Sequence, residues 1–173
     1  MNRLELYIPK LEDYWYEQRV NEDKDSMSYN AGYDVSYAGY HYDTGCIDFP
    51  KSRWQEVYDR RKNENRFFAY LKDIELNEYI GYVNYQFNKD ENRYECGIVI
   101  ESIYRGKGYG KEGLFLLVET AKKNGIKEMY DNFEIDRGHT LDLFKTVGFK
   151  IDSYDTWKKF HKDVEGVIVK ITL

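Results

Sequence analysis

The sequence predicts one α/β (α+β) domain, a mixed and mostly antiparallel central sheet with helices on its faces. Three observations carry this. Two alternating runs, Phe67–Lys72 and Tyr79–Phe87, are joined by a polar turn and read as an antiparallel hairpin. A third run, Tyr94–Ile100, leads into a glycine-rich stretch, Arg105–Gly110. Behind it, Leu114, Leu117, Val118 and Ala121 fall on one helical face, as in a helix that packs on a sheet.

The other elements follow in chain order. Leu4, Leu6 and Ile8 alternate with Glu5 and Tyr7, a short first strand that Pro9 ends. Leu11, Tyr14, Trp15 and Gln18 share a helical face. The stretch from Asn21 to Asp48 is polar, studded with tyrosines, and reads as mostly irregular. Pro50 suits a helix first turn, and Trp54, Val57, Tyr58 and Arg61 follow at helical spacing. Asn124-Gly125 stops the helix behind the glycine stretch. Ile126–Phe133 reads as a strand and Thr140–Val147 as a short helix. Phe149–Trp157 and Gly166–Leu173 read as two last strands.

Composition narrows the class. The 173 residues fit one domain able to bury a core, and 33% charged with 42% hydrophobic residues suits a globular chain. No apolar run approaches the roughly 20 residues needed to span a bilayer, so no membrane partner is expected. The start, MNRLELYIPKLED, is too acidic for a signal peptide, and Cys46 and Cys96 form neither a disulfide framework nor a ligand spacing. A cytoplasmic location is the expectation. His41, His139 and His161 share no metal-ligand pattern, so no metal is expected. A net charge of −5 argues against nucleic acid. Residues 1–50 hold ten acidic side chains against four basic ones, so the negative charge sits at the N-terminal end.

The glycine stretch lies between a strand and a helix start. Glycines let the backbone approach an anion, and a helix N-terminus offers unpaired N–H groups with partial positive charge. A phosphate-bearing ligand is the natural occupant. Gly108-x-Gly110-x-x-Gly113 matches the dinucleotide fingerprint, with Glu134 downstream, but an antiparallel hairpin precedes it and too little chain follows to complete that sheet. A purely structural turn is the other alternative. Gly-Lys-Ser/Thr is absent, which excludes a Walker-type loop.

Arg105-Gly106-Lys107-Gly108-Tyr109-Gly110 also resembles the R/Q-x-x-G-x-G/A pyrophosphate loop of the GNAT superfamily of N-acetyltransferases. Glu95–Ile100 resembles that family's fourth strand in its Glu-x-Gly version. Leu143–Phe149 resembles the L-Y-x-K-x-G-F segment closing its last helix. The resemblance covers residues 94–149 most clearly. It implies a single GNAT-like domain over 1–173: a variable acceptor-side region (1–65), an acyl-CoA-binding core (66–149) and C-terminal strands (150–173). It further implies acetyl-CoA or coenzyme A as cofactor, with the pyrophosphate on the amides of Arg105, Gly106, Lys107, Gly108, Tyr109 and Gly110. The pantetheine arm would lie along Ile98, Val99 and Ile100, with Asn132 and Phe144 nearby. A homodimer is possible, as is common in the family.

Acetyl transfer to an amine needs a base for the ammonium proton and stabilisation of oxyanion charge. The resemblance implies direct attack in a ternary complex, with a backbone N–H near Val99–Ile100 meeting that charge. Glu95 is the first candidate base, Glu134 and Glu101 the next; the bland reading of Glu95 is a strand residue paired to a basic neighbour. Two positions depart from the family pattern. Phe144 stands where a proton-donating tyrosine is frequent, and Arg137 where an asparagine helps hold the cofactor. The acid role then passes to Tyr104, Asn132 or water, or the thiolate leaves unassisted. The acceptor is expected to be a cationic small-molecule or peptide amine, held by Tyr29, Tyr33, Asp34 and Tyr37 through charge and cation–π contact. The alternative is an acyl-CoA-binding module without catalysis.

Overall fold

The computed structural model describes residues 2–63 and 65–173. Seven strands form one sheet: β1 (Leu4–Tyr7), β2 (Arg66–Asp73), β3 (Glu78–Asn88), β4 (Arg93–Ile100), β5 (Glu128–Glu134), β6 (Lys150–Lys159) and β7 (Lys162–Thr172). Their order is β1-β2-β3-β4-β5-β7-β6. Every neighbouring pair is antiparallel except β4 and β5, which run parallel. The helices are α1 (Trp15–Asn21), α2 (Lys24–Met27), α3 (Trp54–Arg60), α4 (Tyr109–Lys123) and α5 (Gly138–Val147). Among the described residues no helix is long and apolar enough to cross a membrane.

Strand alternation sorts the core into two layers. On one face Ala69, Leu71, Val83, Cys96, Met129, Phe133, Val167 and Val169 meet Leu114, Leu117, Val118 and Ala121 of α4. On the other, Phe68, Tyr70, Tyr82 and Val99 meet Tyr16 and Val20 of α1. The heavy use of tyrosine is explained here: the ring packs while the hydroxyl finds a fixed partner. Tyr70 donates to the Asp13 carbonyl and Tyr82 to Asn21. Gly113 lets α4 lie close on the sheet, because a Cβ there would fall 2.6 Å from Leu71.

The stretch from Asn21 to Asp48 is mostly irregular, as expected, with one short helix, α2, capped by the Asp23 side chain on the N–H groups of Asp25 and Ser26. Two expectations need correction. Pro50 precedes a 3₁₀ turn, Lys51–Arg53, that feeds α3, rather than opening α3 itself. The two last strands are longer than their apolar alternation suggested. They meet at Phe160-His161, both with positive φ, the twist a two-residue hairpin turn requires.

Candidate active site

The site grows from the one parallel pair. β4 and β5 are in register only at Glu95 and Tyr130, while β3 pairs β4 along its whole length. Past that point the strands part, so residues 97–100 have no strand on the β5 side. A cavity of about 780 Å³ opens there. Ile98, Val99 and Ile100 line one wall and Gly106, Gly108 and Gly110 another; Arg137, Thr140 and Leu143 come from around the start of α5.

The glycine wall suits an anion. Gly108 precedes α4 with φ 84° and no side chain caps the helix, so its first N–H groups lack an intrahelical partner. Gly106 has φ 75°, and a Cβ there would meet nothing within 4 Å. Tyr109 contributes backbone only, because its hydroxyl is fixed on Asp73 at 2.7 Å. The Arg105 guanidinium is likewise spoken for: it donates to the carbonyls of Ile100 (3.0 Å), Asp25 (3.2 Å) and Ser26 (2.7 Å). The Lys107 carbonyl accepts from Arg3, and its ammonium lies over the Tyr104 ring.

A second cavity of about 240 Å³ adjoins the first through Tyr29 and Arg137, which line both. Asn30, Tyr33, Asn132, Glu134 and Trp157 also line it. Asn132 therefore faces this cavity rather than the larger one. Glu134 accepts from Tyr33 and from Lys159 at 2.6 Å. Burial pushes its carboxyl up, but these two partners outweigh it and hold it below the usual range. Burial pushes the Tyr29 hydroxyl up to about 12.

Other expected residues lie elsewhere. Glu95 lines neither cavity; it accepts from Arg93 at 3.1 Å and from Asn88 at 3.1 Å, the ion-paired alternative. Phe144 is 1% exposed and packs on Phe133 and Phe149, so it is core rather than a ligand contact. Tyr104 lines the larger cavity, but its hydroxyl donates to Glu78 at 2.7 Å, and that bond pushes it up to about 12. Asp34 is exposed and lines neither cavity; Tyr37 is exposed too and accepts from Asn30. Glu101 is bound to Arg19 and Tyr16. No group of three or more metal-ligating side chains occurs among the described residues.

Sequence reasoning passed over Asp131. Strand alternation puts it between Met129 and Phe133 on the α4 face, one residue past the last register point of β4 and β5. Its carboxylate's one hydrogen bond among the described residues comes from the Asn132 N–H at 2.7 Å. Burial pushes its carboxyl up to about 7, Glu95 adds to this, and Asn132 and Arg137 oppose it. The signal was present: a lone acid on an apolar strand face.

A family model described as "Acetyltransferase (GNAT) family" matches residues 10–149. The chain belongs to the GNAT acetyltransferase family. Solved structures agree in fold with this acetyltransferase. A spermidine N-acetyltransferase from Vibrio cholerae, in complex with CoA and spermine, superposes with TM-score 0.78 at 15% identity, over 99% of this chain and 96% of that one. A putative acetyltransferase from Salmonella typhimurium with its cofactor acetyl-CoA gives 0.75 at 15% identity, over 99% and 95%. A ribosomal-protein-alanine N-acetyltransferase from Brucella melitensis gives 0.75 at 15% identity, over 98% and 99%. No curated protein sequence matches.

Proposed function

We propose that this acetyltransferase moves an acetyl group from acetyl-CoA to a primary amine of a small molecule or peptide, by direct attack in a ternary complex. One observation carries the reading: an uncapped helix start and an unpaired strand edge face the same 780 Å³ cavity. The first suits a pyrophosphate and the second suits the amides of a pantetheine arm, so the residues fit the cofactor. The solved relatives named with CoA or acetyl-CoA support it. When bound, acetyl-CoA supplies the acetyl group as an activated thioester.

The chain's own groups do the rest. The amides of 106–110 hold the phosphates, and an N–H at Val99–Ile100 meets negative charge developing on oxygen. The acceptor enters from the smaller cavity, past Tyr29 and Tyr33. Its ammonium must lose a proton, and a carboxylate near 7 is a better base at neutral pH than one held low by Lys159. Asp131 lines neither cavity, so it takes that role through bound water. Glu95 acts on it through space, and Glu134 lines the acceptor's path. Tyr104 has its proton committed to Glu78, so it would not supply one to a leaving thiolate; a thiol with a pKa of ~8.5 would need no such help at neutral pH.

The test is a titration of the protein with coenzyme A and with NAD, followed by thiol release from acetyl-CoA over an amine panel. Coenzyme A binding with amine-dependent release is expected. Binding without release for any amine leaves a non-catalytic acyl-CoA module, and preference for NAD removes the reading.

A further inference from the structure

We infer that the amine acceptor also carries a carboxylate close to its amino group, as an amino acid does, and that Arg137 reads it. This rests on the acyl-transfer reading above and names the substrate class of the same site.

The observation is a guanidinium without a taker. Each of the eight other arginines of the chain donates to, or pairs with, a protein group. Among the described residues the Arg137 guanidinium has no hydrogen bond and no ion pair. Its guanidinium lies 5.1 Å from the Tyr29 ring centroid and 6.0 Å from that of Phe133, in the wall shared by both cavities. Its backbone is fixed at the start of α5: its N–H donates to the Glu134 carbonyl, and its own carbonyl accepts from Thr140 and Leu141. A planar fork with five donors, held in place over aromatic faces, suits a carboxylate taken through two parallel bonds.

The other charges of the smaller cavity point the same way. Its one acid, Glu134, is already matched by Lys159 and Tyr33, so Arg137 leaves the cavity with an unmatched positive charge. The Trp157 indole N–H is buried there too, near the Tyr33 hydroxyl but short of hydrogen-bond geometry, a second donor without a partner among the described residues. The acids expected to hold a polycation lie outside: Asp34, Asp43 and Asp48 are exposed and line neither cavity. A polyamine would bring several ammonium groups to a guanidinium, and the smaller cavity's one carboxylate is already paired; Asp136, exposed in the wall of the larger cavity, is the acid left to meet them. An amino acid brings one ammonium, steered by the acidic N-terminal end, and one carboxylate for the fork.

The test uses pairs of acceptors, each amino acid against the amine left when its carboxylate is removed, with acetyl-CoA saturating. The wild type is expected to favour the carboxylate-bearing member by at least roughly tenfold in kcat/KM, the worth of one charged hydrogen-bonded contact. Arg137→Ala should collapse that ratio through acceptor KM while acetyl-CoA affinity, measured by calorimetry, stays put. Arg137→Lys, which keeps the charge and loses the fork, should recover part of it. Equal or better use of the decarboxylated amines, or of spermidine, overturns the inference and leaves the acyl-transfer reading standing. So does an Arg137→Ala variant that loses acetyl-CoA affinity with the ratio intact, which would assign the guanidinium to the cofactor. If no amine releases thiol, the acyl-transfer reading fails. Thermal shift with the same amino acids, on wild type and Arg137→Ala, then decides the inference: stabilisation that needs Arg137 upholds it, and none removes it.

Discussion

Asp131→Asn separates a buried working carboxylate from an ordinary surface one, and it does so without a substrate. Burial raises this carboxyl from 3.8 to about 7, which at about 1.4 kcal/mol per pH unit corresponds to about 4 kcal/mol. The sign follows from proton counting. Between those two values the folded chain keeps a proton that the unfolded chain has released, so stability falls as pH rises through about 4 to 7. Above 7 the whole cost is present, and below 4 none of it is. Asparagine has the same shape, still accepts from the Asn132 N–H, and carries no such slope. Urea unfolding of both proteins at pH 5, 6, 7 and 8 measures the difference. The variant should gain about 1.7 kcal/mol at pH 5 and up to about 4 kcal/mol at pH 8. A difference under about 1 kcal/mol, or one that ignores pH, refutes the buried-carboxylate argument. The same variant should lose roughly 10²–10⁴-fold in turnover and flatten the acidic limb of the rate profile. Stabilisation without loss of turnover would leave Asp131 buried but idle.

Other expectations follow from single contacts. Gly108→Val places a branched side chain at φ 84° where the phosphates approach; coenzyme A affinity should fall roughly ten- to a hundredfold in a folded protein, read by calorimetry. Unchanged affinity would move the phosphates elsewhere. Arg61→Ala strips the two 2.7 Å bonds from Glu17, which is 5% exposed, and should cost about 3–5 kcal/mol in urea unfolding. A loss below about 1 kcal/mol would mean that water reaches Glu17. Arg105→Ala frees three carbonyls and should cost roughly 1.5–3 kcal/mol, with faster amide exchange in α2. Unaltered exchange there would show the tie to be slack.

The parts of the site that are local in sequence were readable, and those assembled from afar were not. Gly106, Gly108 and Gly110 announce the loop that walls the larger cavity because a turn and a helix start lie within a few residues. The edge at Ile98–Ile100 follows from the strand leading into it. Phe144 misled because a seven-residue motif says which residues are near the cofactor, not which way a ring points; the ring turned toward Phe133 and Phe149. Glu134 looked free because its partners, Lys159 and Tyr33, are 25 and 101 residues away. The N-terminal acids looked like a pocket because composition gives a field and no positions; only Tyr29 and Tyr33 of the four residues expected to hold the amine reach the cavities. The strand turn at Phe160-His161 carries no glycine or asparagine, so nothing in its residues announced it.

The Arg105 side chain joins two regions that have separate tasks. Its guanidinium grips the last residue of β4 and the end of α2, while its backbone opens the loop before α4. Tyr29 and Tyr33 follow α2 directly. A ligand that stills the loop therefore also stills the segment that shapes the acceptor cavity, and each then makes the other's ordering cheaper. By reciprocity, an acceptor bound first should tighten coenzyme A by the same factor as the reverse. Enzyme kinetics would register this as each ligand lowering the other's dissociation constant, and hydrogen exchange across residues 24–33 should slow once coenzyme A is bound.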